Sequence, residues 1–395
     1  MKILLKHRQL SMKILLKHRQ RPSILHFSLK DSSLFILHPK DSSLFILHLN
    51  NSSFTFSCSS KEKWLLLHGA MNNRLMKFLK MQCFSFGEVA YRFFFALWYM
   101  VSLLPLWVLY RISDALYFLV YYVVRYRRHL VRSNLTSSFP EKSLHEIVRI
   151  ERDYYAWFCD YMVETLKMFS MSEKQMRRRM KFEGIEQIND DFRQKRSITV
   201  YLGHYCNWEW VSSLGLHIIP QGTAAQLYHP IENKVVDRLF LYSRGRFKAI
   251  SLEMKEAFQI LAGWQRQGRY TVTGYISDQV PGFSSMHYWP MFLNHETPTY
   301  TGAERIARVL DTSVYYFDIF RPKRGYYVVK AVKMCNNTKE VPKFGLTEQY
   351  YRLLEQSIQR APAYWLWSHN RWKRTREQFN KEFNEAERKR ILSKL

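Results

Sequence analysis

His204 and Glu209 close the stretch Gly203-His-Tyr-Cys-Asn-Trp-Glu209, which follows a β-rich run from Thr199 to Leu202. Histidine is the side chain whose ordinary pKa suits proton transfer near neutrality. A carboxylate beside it can hold one ring nitrogen protonated and leave the other free as a base. The chemistry open to such a pair is general-base catalysis, in which a hydroxyl loses its proton as its oxygen attacks. The spacing alone carries little weight, because a helix-start histidine followed by a solvated glutamate is the plainer reading of it. Cys206 lies two residues from His204 and could serve as a nucleophile, but a buried, inert cysteine is the commoner case.

The elements around this stretch decide what it can do. His204 sits where a strand ends and the next helix begins, with Glu209 on that helix's first turn, and in open α/β sheets ligands bind at such strand ends. Further strands are expected at Thr223–Tyr228 and Tyr270–Ile276, and the polar groups Ser243-Arg-Gly-Arg246 and Ser277-Asp-Gln279 lie at element boundaries. Ser143-x-x-Glu146 and Ser172-x-x-Gln175 open helices. A helix follows Trp210 to about Ile218, others run through Val235–Tyr242, Thr301–Leu310 and Leu346–Arg360, and Val314–Phe320 with Tyr326–Met334 forms a hairpin. Strand, polar terminus, helix is the α/β pattern. The aromatic block Trp365-Leu-Trp-Ser-His-Asn-Arg-Trp372 among basic residues could stack single-stranded nucleic acid. A packed aromatic strand end is preferred, since no nucleic-acid-binding pattern accompanies it.

Phe93 to Tyr110 is an uncharged run of 18 residues bracketed by Arg92 and Arg111. A spanning helix needs about 20 apolar residues. Trp98, Tyr99, Trp107 and Tyr110 suit a membrane interface, and Pro105 would kink a helix there. Arg125, Arg127, Arg128 and Arg132 follow as a basic collar, which places the chain beyond it on the cytoplasmic side. Membrane attachment is expected, either by a spanning or deeply embedded anchor or by a helical hairpin on the membrane surface.

Length allows one large domain or two small ones. The chain has 395 residues, 47% of them apolar, and carries 60 Lys and Arg against 33 Asp and Glu for a net charge of +27. That field favours anionic partners without choosing among them. Five scattered cysteines form no CxxC pair, so neither a metal nor a redox motif is expected, and a reducing compartment is the simplest reading. Near the start, Met1-Lys-Ile-Leu-Leu-Lys-His-Arg-Gln9 recurs as Met12–Gln20 and Asp31-Ser-Ser-Leu-Phe-Ile-Leu-His38 as Asp41–His48. Verbatim short copies indicate recent duplication rather than a folding repeat. Residues 1–70 are therefore expected to be a repetitive extension, disordered or not translated, with initiation at Met71, Met76 or Met81. The remaining divisions are an anchor region over 86–130, a main domain over 131–376 and a charged tail over 377–395.

Taken together, these pieces resemble the lipid A biosynthesis (lauroyl/myristoyl-type) acyltransferases of Gram-negative bacteria, within the lysophospholipid acyltransferase superfamily. The resemblance rests on His204-Tyr-Cys-Asn-Trp-Glu209, Ser243-Arg-Gly-Arg246, Ser277-Asp-Gln279 and the Trp365–Trp372 block, with Asn134-Leu135 and Ser138-Phe-Pro-Glu141 after the anchor. It implies an α/β fold, with a mixed central sheet flanked by helices (glycerolipid acyltransferase-like) and an N-terminal membrane-anchor helix. It implies His204 and Glu209 as the catalytic pair, and Arg246, Asp278, Arg244 and Gln279 as substrate-binding residues. Arg246 would hold an acceptor phosphate or help stabilise an oxyanion, and Asp278 would fix Arg246 or the acceptor, the alternative being a structural ion pair. The implied donor is an acyl carrier protein thioester and the acceptor a lipid A precursor, with no cofactor, no metal and no nucleic acid, at the cytoplasmic face of the inner membrane. Trp208, Trp210, Tyr228 and Trp289 are candidate walls of an acyl groove. A lysophospholipid or amino-acid lipid as acceptor remains open, as does an inactive membrane protein that binds anionic lipid.

Overall fold

The structure is a computed structural model that describes residues 86–394 and, before them, the backbone of five strands within 11–58. Met1–Ser85 is a unit of its own. In it β1 (Ser11–His18) pairs antiparallel with β2 (Arg21–Ser28), and β3 (Ser33–Leu37), β4 (Leu44–Asn50) and β5 (Ser53–Cys58) form a three-stranded sheet. The two Ser-Leu-Phe-Ile-Leu copies supply β3 and β4, which pair with each other, where the sequence leads one to expect an extension outside any fold. Met71, Met76 and Met81 lie outside the described residues.

The second unit, Phe86–Leu395, is built on a seven-stranded mixed sheet. Its strands are β6 (Met180–Glu183), β7 (Ile198–Leu202), β8 (Gly222–Tyr228), β9 (Ala249–Glu253), β10 (Tyr270–Ile276), β13 (Ser313–Lys323) and β14 (Tyr326–Cys335). The order is β6-β14-β13-β7-β10-β8-β9, and only the β13–β14 pair is antiparallel. β7 is buried along its whole length, as a central parallel strand covered on both faces must be. β11 (Met291–Phe292) and β12 (His295–Glu296) form a small separate ribbon. Helices cover the sheet; the longest, Leu144–Lys167, opens with the capping box expected at Ser143 and Glu146. The expected helix after Trp210 is a 3-10 helix, Trp210–Leu216.

The apolar run Phe93–Tyr110 is not one helix. It divides between Phe86–Leu103 and Leu106–Phe118, because Pro105 has no N–H to continue the ladder and disfavours helical backbone before it. The break exposes carbonyls, and a buried lysine caps them: Lys167 Nζ donates to Ser102 O at 2.6 Å and Leu104 O at 2.9 Å, while Ser170 also donates to Ser102 O. Burial lowers the pKa of Lys167. The stretch long and apolar enough to cross a bilayer is Leu106–Val123 instead, and only 17% of it is buried. Phe93, Met100, Leu103, Trp107, Phe118 and Val123 are each more than half exposed, forming an apolar surface on these two helices. The basic collar behind them is largely committed inward. Arg127 donates to Ser368 O, Arg128 pairs with Glu151, and Arg132 grips Glu151 with two nitrogens.

The charged C-terminal tail folds into two short helices, Arg376–Glu382 and Glu385–Leu392. They bury Phe379 and Ile391 in a small core with Val280, Met286 and Trp289. That packing draws Trp289 away from the acyl groove expected of it.

Candidate active site

β7 and β10 are parallel neighbours, and their register sets Leu202 opposite Ile276. Both chains continue for two residues past that pair, so His204 and Asp278 arrive level at the same sheet edge. His204 Nδ1 lies 2.6 Å from Asp278 Oδ1, and the His204 backbone N–H donates to Oδ2 at 2.8 Å. Trp365 Nε1 donates to the same Oδ2 at 2.8 Å. Asp278 is 2% exposed, yet it stays ionised: burial alone would raise its pKa, but the His204 ring and the other two donors hold it at about 2. A carboxylate fixed this way makes Nδ1 the protonated nitrogen and leaves Nε2 with its lone pair. Gln279 Nε2 is 3.2 Å from that Nε2 and donates to it.

The backbone around the pair is tightly specified. Gly203 has no room for a side chain, since a Cβ would meet Leu354 at 2.6 Å. The helix Gly345–Arg360, which carries Leu354, sits against both strand ends: Tyr350 donates to Leu202 O and Tyr351 to Ser277 O. Tyr205 bridges antiparallel to Trp365, Leu366 N donates to His204 O and Cys206 N to Tyr364 O. The aromatic block is therefore the packed strand end expected. Asn134, from the post-anchor segment, donates to Trp367 O and His369 O. Cys206 is fully buried, which pushes its thiol far above the usual range, so it is no thiolate nucleophile.

Glu209 does not reach the imidazole. It forms a two-pronged pair with Arg244, at 2.7 Å and 2.6 Å. The orienting place expected of Glu209 belongs in this geometry to Asp278, which the sheet register delivers and chain proximity does not. Arg244 is held firmly protonated: burial works against its charge, and Glu209 outweighs burial. Arg246, expected at a substrate, points elsewhere. Its guanidinium donates to Met168 O and Met171 O, and Asp278 is not its partner. Arg244 and Arg246 flank the end of the helix Lys234–Gly245, and two residues are roughly 200° of helix rotation, so only one can face the site.

His204, Gln279, Glu209 and Arg244 line one cavity of about 670 Å³. That volume lies within the range of small-molecule pockets, about 300–1,000 Å³. Where the cavity follows the strands its walls are small or apolar, with Val200, Leu202, Ala224, Ala249 and Gly274. Trp208 and Tyr228 also line it, as expected, whereas Trp210 packs edge-on against Tyr327. Trp208 stands edge-to-face on the His204 ring at 5.1 Å and stacks on Tyr161 at 4.2 Å. Among the described residues, no three His, Cys, Asp or Glu side chains converge as a metal site. A cavity of this size, with small and apolar walls along the strands and an oriented imidazole and a half-buried cation among its lining, can seat an apolar chain and deprotonate a hydroxyl.

The profile of the bacterial lipid A biosynthesis acyltransferases matches residues 84–374. The chain is also 24% identical over 280 residues to the lipid A biosynthesis lauroyltransferase of Escherichia coli (strain K12), covering 70% of this chain and 89% of that one.

Proposed function

This chain belongs to the bacterial lipid A biosynthesis acyltransferase family and is an acyltransferase; from that premise we propose that it moves a fatty acyl chain from an acyl carrier protein thioester to a hydroxyl of a lipid A precursor. His204 Nε2 takes the proton of the acceptor hydroxyl as its oxygen attacks the thioester carbonyl. The C–O ester bond forms, the C–S bond breaks, and the imidazolium returns the proton to the departing thiolate. Asp278 holds the ring and stabilises the imidazolium. Gln279 marks the place of the incoming hydroxyl, which displaces its amide from Nε2. Glu209 fixes Arg244, and Arg244 takes the part expected of Arg246, meeting the developing oxyanion or an acceptor phosphate.

The observation that carries this reading is the His204–Asp278 contact of 2.6 Å beside a cavity whose walls along the strands are small and apolar. The surplus of +27 suits an acidic carrier protein and a phosphorylated acceptor. The exposed apolar helices suit attachment at the cytoplasmic face of the inner membrane, where the acceptor lies in the plane of the bilayer. The test is mass spectrometry of lipid A from cells lacking this protein, which should lack one acyl chain and regain it on complementation. An unchanged lipid A spectrum would remove the acceptor from the proposal.

Gly274 gives a sharper handle on the acyl chain. It lines the cavity, and a Cβ there would meet Leu202 at 3.5 Å, an ordinary contact. Gly274→Val is expected to fold, since β-branched residues suit a strand. Its added methyls should shift donor preference to shorter chains, by about 10-fold in the ratio of kcat/KM. Competition between carrier-protein thioesters of two chain lengths measures it, and an unchanged ratio would place the chain elsewhere.

A further inference from the structure

Behind the cavity lies a buried carboxyl that the proposed reaction leaves unused. Glu164, in the helix Leu144–Lys167, is fully buried and absent from the cavity wall. Its Oε1 accepts from Tyr110 Oη at 2.9 Å. Its Oε2 accepts from Asn207 Nδ2 at 2.7 Å and from Tyr327 Oη at 2.7 Å. Its backbone carbonyl accepts from Trp210 Nε1 at 3.1 Å, and Asn207 Oδ1 accepts from Trp210 N at 3.1 Å. Three side chains donate to the carboxyl, and Arg321 and Asp160 act on it through charge alone. Burial raises its pKa, with Arg321 and the Tyr327 and Asn207 hydrogen bonds acting against the rise.

What the cluster holds is the segment between His204 and Glu209. Cys206 in that segment has φ of 54°, the left-handed region that a non-glycine residue adopts at a cost. Such a residue persists only where its surroundings over-determine it. One restraint is the Cys206 N–H on Tyr364 O at 2.8 Å; the next residue along, Asn207, is pinned by Glu164. At its other oxygen Glu164 reaches Tyr110, on the helix Leu106–Phe118, which carries part of the exposed apolar surface.

We infer that Glu164 is a positioning residue for acyl transfer: one oxygen clamps the His204–Glu209 turn through Asn207, and the other ties that turn, through Tyr110, to the exposed apolar helix. The inference rests on the reaction proposed above, and its test keeps the two separable. Asn207→Asp removes the amide that donates to Glu164 and sets two carboxyls together in a buried site, where both cannot carry charge at once, so it should lower kcat by about 30-fold, with donor KM within about twofold. Glu164→Gln combined with Asn207→Asp restores a donor–acceptor pair with the roles exchanged. The double variant should recover about tenfold over Asn207→Asp alone. Tyr110→Phe removes a single hydroxyl, should melt within a few degrees of the parent, and should lower kcat by about threefold. All are measured as the full chain in phospholipid vesicles with carrier-protein thioester and lipid A precursor, beside His204→Ala. Additive losses with no recovery in the double variant overturn the clamp. Parent kcat in Tyr110→Phe overturns the tie to the apolar helix. Full turnover by His204→Ala overturns the reaction itself.

Discussion

His204→Ala is expected to lower kcat by about 10²–10⁴-fold, the usual contribution of a positioned general base. Water cannot stand in for the lost imidazole, because it is far too weak a base to take the hydroxyl's proton near neutrality. The cavity walls otherwise stay in place, and His204 is 17% exposed at its side chain, so the substitution widens an existing space rather than opening a closed core. Acceptor binding should therefore survive while transfer fails. Steady-state transfer from the carrier-protein thioester, paired with acceptor binding to vesicle-bound protein, separates the two. Loss of both together would assign His204 to the scaffold. Retention of both would remove His204 from the reaction.

Asp278→Asn should cost about 10²–10⁴-fold in kcat, and the donor count explains why. Oδ2 accepts two donors, the His204 backbone N–H and Trp365 Nε1, whereas Oδ1 accepts one. An asparagine keeps its single oxygen where two donors converge and turns its NH₂ toward His204 Nδ1. That nitrogen must then accept, which moves the ring proton to Nε2 and removes the base from the cavity. The combined His204→Ala, Asp278→Asn variant should be no slower than the slower single variant, since the two side chains act as one unit. Multiplying losses would show independent roles. The same carboxylate predicts a pH signature. Its folded pKa of about 2 lies below the ordinary carboxylate value, so its contribution to stability is complete above that ordinary value and is lost as pH falls toward 2. Acid unfolding of the parent between about pH 4 and pH 2 should include this component, and Asp278→Asn should lack it.

The strands that deliver the site were legible because their periodicity and polar termini are local. Tyr270–Ile276 was bounded correctly, and Thr223–Tyr228 to within a residue. The helices ending at Leu310 and Arg360 and the hairpin of β13 and β14 were likewise readable. β6 and β9, four and five residues long, were missed because such short segments carry almost no pattern. That Asp278 rather than the expected Glu209 contacts the imidazole is illegible for a different reason. Glu209 is near His204 in sequence, but Asp278 is near it in space, through a strand register that no spacing encodes. The signal available was that Ser277-Asp-Gln279 also ends a strand, and parallel neighbours end together. Arg244 and Arg246 could not be separated without knowing which side of one helix faces the cleft. Pro105 reads as a kink and is a full break; what makes a full break tolerable, Lys167 on the freed carbonyls, lies 63 residues from Leu104 and is invisible locally.

Trp365 donates to Asp278, and Tyr364 and Leu366 hydrogen-bond the backbone at Cys206 and His204. The site is thus completed by a segment near the end of the chain, although its histidine is made much earlier. During synthesis the apolar helices leave the ribosome well before that segment does. On the reaction proposed above, a molecule stopped between those helices and residue 364 would carry His204 without the contacts that complete its site, and only molecules that include the Trp365 segment would transfer acyl groups.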